Sequence, residues 1–347
     1  MKLQATKIIL QLFIALLLLS VTSFYALQKY IIDKRKLFIV NWTWTQTINC
    51  HYVTEGNVLP SAEEMSPPED SIFFHETSCR GGLDSREACS IESAARKHPR
   101  RLVYVFFNSP VSEVVLASSC LAKLAQFKNV RLARLHTVEY ARGTALSEIL
   151  AHMKNKQSEW GIELTSDLLR YISMYKYGGL YLDTDILVVK SLDSLGRNWV
   201  AREDDDLVNV AVLSLTKDGL GHKIVTKVLN HIKYNFDPDV WLHNGPGAMT
   251  RVLLQYCNAT RVPDMNSDTC HGFKVYDTSW IYPIGYILAD YYFKPGELPE
   301  ESSGAYTHHL WNKISRDTPM EAGSPYDRLT RIHCPSMREM YGDLFGL

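Results

Sequence analysis

Two aspartates that lie one residue apart interrupt an apolar stretch in the middle of the chain. Asp183 and Asp185 fall within YKYGGLYLDTDILVV, residues 175–189. Charged carboxylates rarely enter such a stretch without a partner, because burial of an unpaired charge is unfavourable. If the chain turns here, both carboxylates can approach one hard divalent cation, and Mg²⁺ and Mn²⁺ prefer oxygen ligands. Because such an ion keeps open positions for phosphate oxygens, the pair predicts a metal site that holds a diphosphate.

An Asp-x-Asp motif by itself has a simpler explanation, which is a solvated turn with two incidental carboxylates. The surroundings of this motif favour a functional role. The segment at 165–179 has helical periodicity, begins with the capping residues Thr165–Asp167, and ends at Gly178-Gly179, which suits a left-handed turn. The following LYLD predicts a strand that brings both aspartates to its carboxyl end, where open α/β sheets bind ligands.

The segments before this unit alternate between strand and helix patterns. Strands are predicted for SIFFHETS (71–78), RLVYVFFN (101–108) and NVRLARLHT (129–137), and helices for SIESAARKHP (90–99) and SEVVLASSCLAKLAQF (112–127). In the first helix, Ser90 is the predicted cap and Pro99 the stop. This alternation predicts an α/β domain with a mainly parallel sheet.

The N-terminus contains an uncharged apolar run, Ile8–Leu27. Twenty helical residues span about 30 Å, the thickness of the hydrocarbon core of a bilayer. A cleaved signal peptide is the alternative interpretation. We favour a retained anchor, because the run is long for a signal peptide and no clear small-x-small cleavage site follows it. Basic residues flank the run on both sides, so the positive-inside rule does not decide its orientation.

Other features favour a lumenal position for the rest of the chain. Asn41-Trp42-Thr43 and Asn258-Ala259-Thr260 are glycosylation sequons. The resulting organisation is a cytosolic tail at 1–7, a transmembrane signal-anchor at 8–27, a stem at 28–68 and a lumenal catalytic domain at 69–347. The stem is predicted to end in SAEEMSPPED, since Pro67-Pro68 blocks regular structure.

The seven cysteines agree with an oxidising compartment. Cys79 and Cys89 bracket one short polar loop, and Cys257 and Cys270 bracket another, so a local disulfide is predicted across each loop. Cys120 falls within a helical pattern and is predicted to be a buried thiol. The formal net charge of −1 gives no indication of a nucleic-acid partner.

Four sequence blocks occur together and in a specific order. They are SIESAARKHP, SDLLRYISMYKYGGLYLDTD, HNGPGAMTR (243–251) and AYTHHLWNK (305–313). In this combination the chain resembles glycosyltransferase family 32, and within it the α1,4-galactosyltransferase and α1,4-N-acetylglucosaminyltransferase branch. The resemblance covers roughly residues 70–340. It implies a GT-A nucleotide-sugar transferase fold, the cofactor Mn²⁺ (with Mg²⁺ as the alternative), and transfer with retention at the anomeric carbon.

The resemblance also implies a set of metal ligands. Asp185 would be the main carboxylate ligand, and Asp183 would lie toward the metal and the nucleotide ribose. His309 matches the histidine of the family's HxWN block and would contact the metal or the diphosphate, in preference to the adjacent His308.

Further residues match family positions around the donor. Contacts to the donor are implied for Asp167, Arg170, Tyr181, Asn209, His243 and Pro246, and catalytic positions near donor and acceptor for Asn244 and Gly245, together with Asp183 and Asp185. Two positions depart from the family pattern. Galactosyltransferase relatives tend to have glutamine where this chain has Asn244, and Val210 follows Asn209 where relatives carry glycine. The choice between UDP-galactose and UDP-N-acetylgalactosamine therefore stays open.

The function that the resemblance implies is transfer of galactose or N-acetylgalactosamine in α1,4 linkage to a glycosphingolipid such as lactosylceramide, by a single-pass type II protein of the Golgi membrane. The alternatives are an α1,4-N-acetylglucosaminyltransferase acting on mucin-type glycans, a GDP-mannose-dependent mannosyltransferase, and an inactive carbohydrate-binding relative. A phosphatase of the haloacid-dehalogenase type also places Asp-x-Asp after an apolar strand, but its motif continues with threonine or valine where this chain has Leu187. HNGPGAMTR contains no acidic residue for a covalent route, so same-face substitution is expected.

Overall fold

The structure is a computed structural model that describes residues 48–154 and 158–346. The predicted anchor at 8–27, the first part of the predicted stem and the sequon at Asn41 lie outside these residues. Within the described part of the chain, every helix is too short or too polar to cross a bilayer.

The described chain contains nine strands. They are β1 (Ile72–Glu76), β2 (Val103–Phe107), β3 (Val130–Arg134), β4 (Gly179–Leu182), β5 (Ile186–Val188), β6 (Trp199–Arg202), β7 (Val208–Leu215), β8 (Lys274–Tyr276) and β9 (Thr307–His309). Seven of them form one sheet in the order β3-β2-β1-β4-β7-β6-β8, and β5 pairs with β9 apart from it. Pairing is parallel from β3 to β4 and antiparallel on both sides of β7. The α/β class with a mainly parallel sheet is therefore confirmed.

Twelve helices connect and cover these strands in the described residues. They are α1 (Ser85–Lys97), α2 (Glu113–Ser118), α3 (Cys120–Leu124), α4 (Thr137–Ala141), α5 (Ser147–Met153), α6 (Gly161–Tyr177), α7 (Gly219–Asn235), α8 (Pro246–Tyr256), α9 (Thr278–Ile281), α10 (Asn312–Ser315), α11 (Pro325–His333) and α12 (Pro335–Tyr341). The segment predicted as one helix at 112–127 is divided, because the side chain of Ser119 caps the second helix, α3.

Two predicted helix starts are wrong. Helix α1 begins at Ser85 rather than at Ser90, because Asp84 and Glu87 form a reciprocal capping box that starts it earlier. Helix α6 begins at Gly161, so Thr165–Asp167 lie inside it rather than at its cap. The hydroxyl of Thr165 bonds back to the carbonyl of Gly161 within the helix.

The last part of the predicted stem belongs to the folded unit. Ile48 is buried in the main hydrophobic core. A disulfide joins Cys50 to Cys79, and the buried guanidinium of Arg134 donates to the carbonyls of residues 50, 51 and 53. Residues from Ile48 onward are therefore part of the folded unit, which the sequence predicted to begin at residue 69. Pro67-Pro68 interrupts regular structure, but the segment before it still packs against the folded unit.

The disulfides also differ from the predicted local pairs. Cys79 pairs with Cys50, and Cys89 pairs with Cys334 across 245 residues of sequence. The predicted Cys79–Cys89 pair is wrong. Cys89 lies on α1, against which the C-terminal helices α11 and α12 pack. This packing brings the Cα atoms of Cys89 and Cys334 to 5.1 Å from each other. Cys257–Cys270 is confirmed, and Cys120 is a buried free thiol, as predicted.

The Gly178-Gly179 pair lets α6 pass directly into β4. Both residues have positive φ, 67° and 94°. A Cβ on Gly178 would lie 2.5 Å from the backbone nitrogen of Lys217, and one on Gly179 would lie 2.4 Å from the carbonyl oxygen of Ser71. Because a side chain fits at neither position, the glycines allow β4 to enter the sheet next to β1 with the two aspartates following directly.

Candidate active site

The turn that carries the two aspartates lies at the carboxyl end of β4, as predicted. The backbone N–H of Asp183 donates to the carbonyl of Ala211 on β7 at 2.8 Å. After the turn, β5 pairs antiparallel with β9, and Ile186 stands opposite His309. This pairing brings the HLWN segment, which is distant in sequence, directly against Asp185.

Asp185 is buried and is held by the segment that follows β9. Its Oδ2 accepts the backbone N–H of Asn312 at 2.8 Å and lies 3.3 Å from Nε2 of His309. Its carbonyl accepts the N–H of Leu310. Burial alone would raise the pKa of Asp185, but the charge and hydrogen bond of His309 and the bond from Asn312 lower it overall. Asp185 is thus held as a carboxylate.

His309 is the histidine that faces this carboxylate. Its ring stacks on Trp311 with centroids 3.8 Å apart, and its Nδ1 is buried with no hydrogen-bond partner. Trp311 has a left-handed backbone conformation, with φ at 56°, and its indole N–H donates to the carbonyl of Ile284. His308 points away, with Nδ1 3.2 Å from the hydroxyl of Tyr292. The alternation of side chains along β9 therefore separates the two histidines.

Asp183 and Asp167 share one arginine. Nη2 of Arg170 lies 3.1 Å from Oδ1 of Asp167 and 3.2 Å from Oδ1 of Asp183, and Nη1 donates to the carbonyl of Val210 at 2.9 Å. The hydroxyl of Tyr181 donates to Oδ1 of Asp183 at 2.7 Å, and the guanidinium lies over the Tyr181 ring at 4.9 Å. The SDxxR helix and the Asp-x-Asp strand are therefore joined by a buried ion network.

Burial dominates the protonation of this network. It raises the pKa of Asp167 to about 7, against the opposing charge of Arg170. Burial likewise raises the pKa of Asp183 despite Arg170. Burial would lower the pKa of Arg170, but the carboxylate of Asp183, the largest opposing influence, and other neighbours raise it overall. Arg170 is thus a permanent cation between two carboxyl groups.

Two of the three predicted metal ligands meet in a geometry that suits a cation. Ligand atoms about 2.1 Å from one octahedral ion lie about 3 Å apart when adjacent, and the separation of 3.3 Å between Asp185 and His309 is close to this. The carboxylate of Asp183 is instead held by the arginine and the tyrosine. In residues 48–154 and 158–346, the sole trio of His, Cys or acidic side chains with all ligand atoms within 4.8 Å is Cys50, His51 and Cys79, whose cysteines form a disulfide.

The HNGP segment braces its own loop. Asn244 is buried, its Nδ2 donates to the carbonyl of Asp237 at 2.5 Å, and its Oδ1 accepts the N–H of the same residue. Nε2 of His243 lies 2.8 Å from the carbonyl oxygen of Asn235. Both side chains therefore hold the loop in its conformation. Local sequence has no signal for this, because the partner is defined only by the shape of the loop.

Gly245 and Pro246 lie where this loop meets the ion network. A Cβ on Gly245 would lie 2.2 Å from Oδ2 of Asp167. The carbonyl oxygen of Gly245 accepts a hydrogen bond from the hydroxyl of Tyr171 at 2.7 Å. Pro246 is the first residue of α8, where its missing N–H leaves no bond unmade. Glycine at position 245 therefore allows the backbone to lie directly against the carboxyl group of Asp167.

Glu203 is an acidic residue of the site that sequence reasoning missed. Its Oε2 accepts from Nδ2 of Asn209 at 2.7 Å, and Oδ1 of Asn209 accepts the N–H of Ala211. Burial raises the pKa of Glu203, and the charge of His309 is the largest opposing influence. In the sequence, Glu203 is simply the first residue of the acidic run EDDD, and only the fold separates it from its three exposed neighbours.

Known proteins show the same two blocks of sequence. The family described as "Alpha 1,4-glycosyltransferase conserved region" matches residues 217–341, and "Glycosyltransferase sugar-binding region containing DXD motif" matches residues 84–202. The lactosylceramide 4-alpha-galactosyltransferase of Homo sapiens is 31% identical over 81% of this chain and 80% of that protein. The alpha-1,4-N-acetylglucosaminyltransferase of Homo sapiens is 22% identical over 76% of this chain and 78% of that protein.

The chain belongs to glycosyltransferase family 32, as an α1,4-glycosyltransferase. The resemblance of the four sequence blocks to this family is therefore confirmed. Membership implies a divalent metal and a nucleotide-sugar donor. Among solved structures, an active-site mutant of LgtC aligns at a TM-score of 0.42 and 15% identity, over 75% of this chain and 94% of that chain, a likeness too weak to add to the assignment.

Proposed function

We propose that this protein transfers galactose from UDP-galactose, with retention and in α1,4 linkage, to a glycosphingolipid of the lactosylceramide type. The observation that carries the proposal is the buried Asp185–His309 pair beside the Asp167–Arg170–Asp183 network, in a chain 31% identical to a lactosylceramide 4-alpha-galactosyltransferase. UDP-N-acetylgalactosamine is the alternative donor, since the two departures from the family pattern, at Val210 and Asn244, bear on the choice of sugar.

Asp185 and His309 would hold Mn²⁺, for which carboxylate and imidazole are suitable ligands, with Mg²⁺ as the alternative. The metal would supply positive charge to the diphosphate that leaves with UDP. The protein prepares the site in advance, because the N–H of Asn312 orients the carboxylate and Trp311 fixes the plane of the imidazole.

Asp167 would orient the donor sugar by accepting hydrogen bonds from its hydroxyl groups. Arg170 is already engaged by Asp167, Asp183 and the carbonyl of Val210, so its main contribution is to fix the two carboxyl groups. Asp183 is accordingly assigned to the nucleotide side of the donor and Arg170 to positioning.

Retention is assigned to attack on the same face from which the diphosphate departs. The bond from sugar C1 to the phosphate oxygen breaks, the acceptor hydroxyl oxygen bonds to C1, and the hydroxyl proton passes to the leaving phosphate oxygen. The HNGPGAMTR segment has no acidic residue, and Glu203 is engaged by Asn209 with its pKa raised by burial. Neither provides the exposed carboxylate that a covalent intermediate requires.

An exposed apolar segment beside the site supports a lipid-linked acceptor. The segment 286–291 exposes Tyr286 (48%), Ile287 (78%), Leu288 (48%) and Tyr291 (52%). Tyr286 packs edge-on against Trp311, which stacks on His309. Contiguous exposed apolar side chains indicate an interaction surface, and this one lies next to His309, a proposed metal ligand.

We also propose the Golgi lumen as the location, through a type II anchor at 8–27. The three disulfides support an oxidising compartment. Asn258 is exposed, so its sequon is open to glycosylation.

The test is release of UDP and formation of product by the full-length protein in detergent with Mn²⁺. UDP-galactose, UDP-N-acetylgalactosamine, UDP-N-acetylglucosamine and GDP-mannose are each supplied with and without lactosylceramide, and NMR of the product gives the linkage. We expect acceptor-dependent release with UDP-galactose. The variant Asp185→Asn, which keeps an acceptor for the N–H of Asn312 but removes the charge, should be about 1,000-fold slower.

Each alternative outcome has a distinct meaning. Transfer only from UDP-N-acetylglucosamine or GDP-mannose would overturn the donor assignment. Mn²⁺-dependent binding of UDP without turnover on any acceptor would indicate an inactive binding relative. Absence of UDP binding would contradict the assignment of Asp183 and Asp185 to the donor and metal site.

A further inference from the structure

Two tryptophans stack on each other at the rim of the site. The rings of Trp160 and Trp241 lie 5.3 Å apart between centroids and are inclined by only 11°. Trp160 also has the ammonium group of Lys313 5.0 Å from its ring centroid. Trp241 is 42% exposed. The pair therefore presents the exposed ring of Trp241, and the ring of Trp160 beneath it is held between Trp241 and Lys313.

Three elements of the donor site converge on this pair. Trp160 directly precedes α6, on which Glu163 lies one turn before Asp167. Glu163 forms an ion pair with Lys313, which follows Asn312, whose backbone N–H donates to Asp185. On the other side, Trp241 lies four residues before Gly245, whose backbone meets Asp167. The exposed indole is therefore connected to the place where the donor sugar is proposed to bind.

The loop that carries Trp241 is braced. The side chain of Asn244 bonds twice to the backbone of Asp237, and the hydroxyl of Ser158 donates to the carbonyl of Pro238 at 2.8 Å. The second bond ties this loop to the segment of Trp160. An aromatic ring held in place before binding loses little conformational freedom when it meets a ligand.

A second exposed tryptophan shows what distinguishes Trp241. Trp280 is 41% exposed, but it stacks on both Tyr276 and Tyr306, at 5.3 and 5.7 Å. Among the described residues, the ring partner of Trp241 is Trp160. Trp280 is therefore an aromatic residue of equal exposure that has more of its ring surface engaged, and it lies on α9.

We propose that Trp241, supported by Trp160, is the acceptor subsite and stacks on the apolar face of a β-linked galactose. A galactopyranose carries C–H groups on one face and hydroxyls at its edge, so it suits an aromatic ring bordered by charged groups. Glu163 and Lys313 border the pair and provide polar partners for the hydroxyls. This inference rests on the proposed function, because it names how that site recognises its acceptor.

The test compares Trp241→Ala and Trp241→Phe with the control Trp280→Ala, in the full-length protein. The KM for the soluble acceptor methyl β-lactoside should rise about tenfold or more in Trp241→Ala and less in Trp241→Phe, which keeps a ring. The KM for UDP-galactose, and the slow UDP release without acceptor, should stay within about twofold of the parent protein. Trp280→Ala should leave all three quantities unchanged.

Direct binding separates this inference from the proposed function. Methyl β-lactoside should change the intrinsic tryptophan fluorescence of the parent protein and of Trp280→Ala, and the change should be lost in Trp241→Ala. This measurement needs no turnover, so it holds even if galactose is not the sugar transferred. An acceptor KM within twofold of the parent in Trp241→Ala, or equal rises in the KM for donor and acceptor, would overturn the subsite. If Trp241→Ala does not fold, Trp241→Leu, which keeps bulk without a ring, takes its place with the same expected results.

Discussion

The proposed donor side and the proposed acceptor side of this site are built differently. On the donor side, Arg170 joins Asp167 and Asp183 in a buried network in which each charge has a partner. On the proposed acceptor side, Trp241 on a loop and Ile287 on a short 3-10 helix are exposed apolar side chains. Removing the partner of a buried charge strongly lowers the free energy of unfolding, whereas a change at an exposed aromatic side chain has little effect on it. Substitutions in the proposed donor site should therefore also reduce stability, whereas substitutions in the proposed acceptor site should change acceptor binding with little effect on stability.

The largest effect is expected from Arg170→Met. The change leaves Asp167 and Asp183 buried without their cation, so the free energy of unfolding should fall by about 3–5 kcal/mol and transfer should be abolished. Thermal denaturation and binding of UDP are the measurements. The matched control is Arg197→Met, because Arg197 pairs with Glu69 and Asp70 on an exposed surface, where about 1 kcal/mol or less is expected. Equal effects in both variants would remove the distinction between the two sides.

The next effect is expected from Gly245→Ala, at the seam between the two sides. The added methyl group would lie 2.2 Å from Oδ2 of Asp167, so the carboxyl group must move. We expect up to about 3 kcal/mol of destabilisation and a higher KM for UDP-galactose. Gly285→Ala is the control, since an added Cβ there meets nothing within 4 Å. Wild-type donor affinity in Gly245→Ala would contradict the assignment of Asp167 to the donor sugar.

Acidification distinguishes buried charges from buried neutral groups. His51, His75 and His308 are buried, and burial, the largest cause in each, lowers their pKa values to about 4, 3 and 4. The unfolded chain takes up these protons near pH 6.5, so the stability that each histidine contributes is full above that pH and falls as the pH drops toward 4. Each histidine should contribute about 2 kcal/mol of loss between pH 8 and pH 5.

The measurement for this effect is the melting temperature across that pH range. In His51→Gln the loss between pH 8 and pH 5 should shrink by about 2 kcal/mol, the share of one histidine. His152→Gln, at an exposed position, should leave the pH dependence of the parent protein unchanged. An equal loss between pH 8 and pH 5 in His51→Gln and in the parent protein would show that His51 is not buried as a neutral ring.

The smallest effect is expected from Ile287→Asp on the apolar segment. Activity on lactosylceramide in vesicles should fall several-fold, because a charge at a 78% exposed apolar position weakens contact with lipid. Activity on methyl β-lactoside and the melting temperature should not change. Ile332→Asp, at another exposed isoleucine (68%) on α11, is the control. Equal losses on the soluble and the lipid acceptor would argue against a lipid-facing role.

The strands and the site motif could be predicted because their signals are local. The apolar runs at β1, β2 and β3, the Gly178-Gly179 pair and the two aspartates are all visible within a few consecutive residues. The predicted start of α1 at Ser90 is wrong, although the true signal is also local. Asp84 and Glu87 form a capping box that starts the helix before Ser90.

The disulfide of Cys89 and the role of Asn244 required the folded chain. Cys89 pairs with Cys334, and the side chain of Asn244 bonds to the backbone of Asp237. Periodicity and motif matching do not report such pairings, because the partners are defined by how the helices and loops pack.

The amino-acid sequence by itself determined the α/β class, the aspartate pair and the family, because strand periodicity and the spacing of charged residues are properties of neighbouring positions. Only the tertiary structure decided that Asp185 meets His309 while Asp183 meets Arg170, that Glu203 lies at the site, and that Trp160 and Trp241 form one surface. The physical reason is that ion pairing, burial and stacking act through space, between segments that only sheet pairing and helix packing bring together.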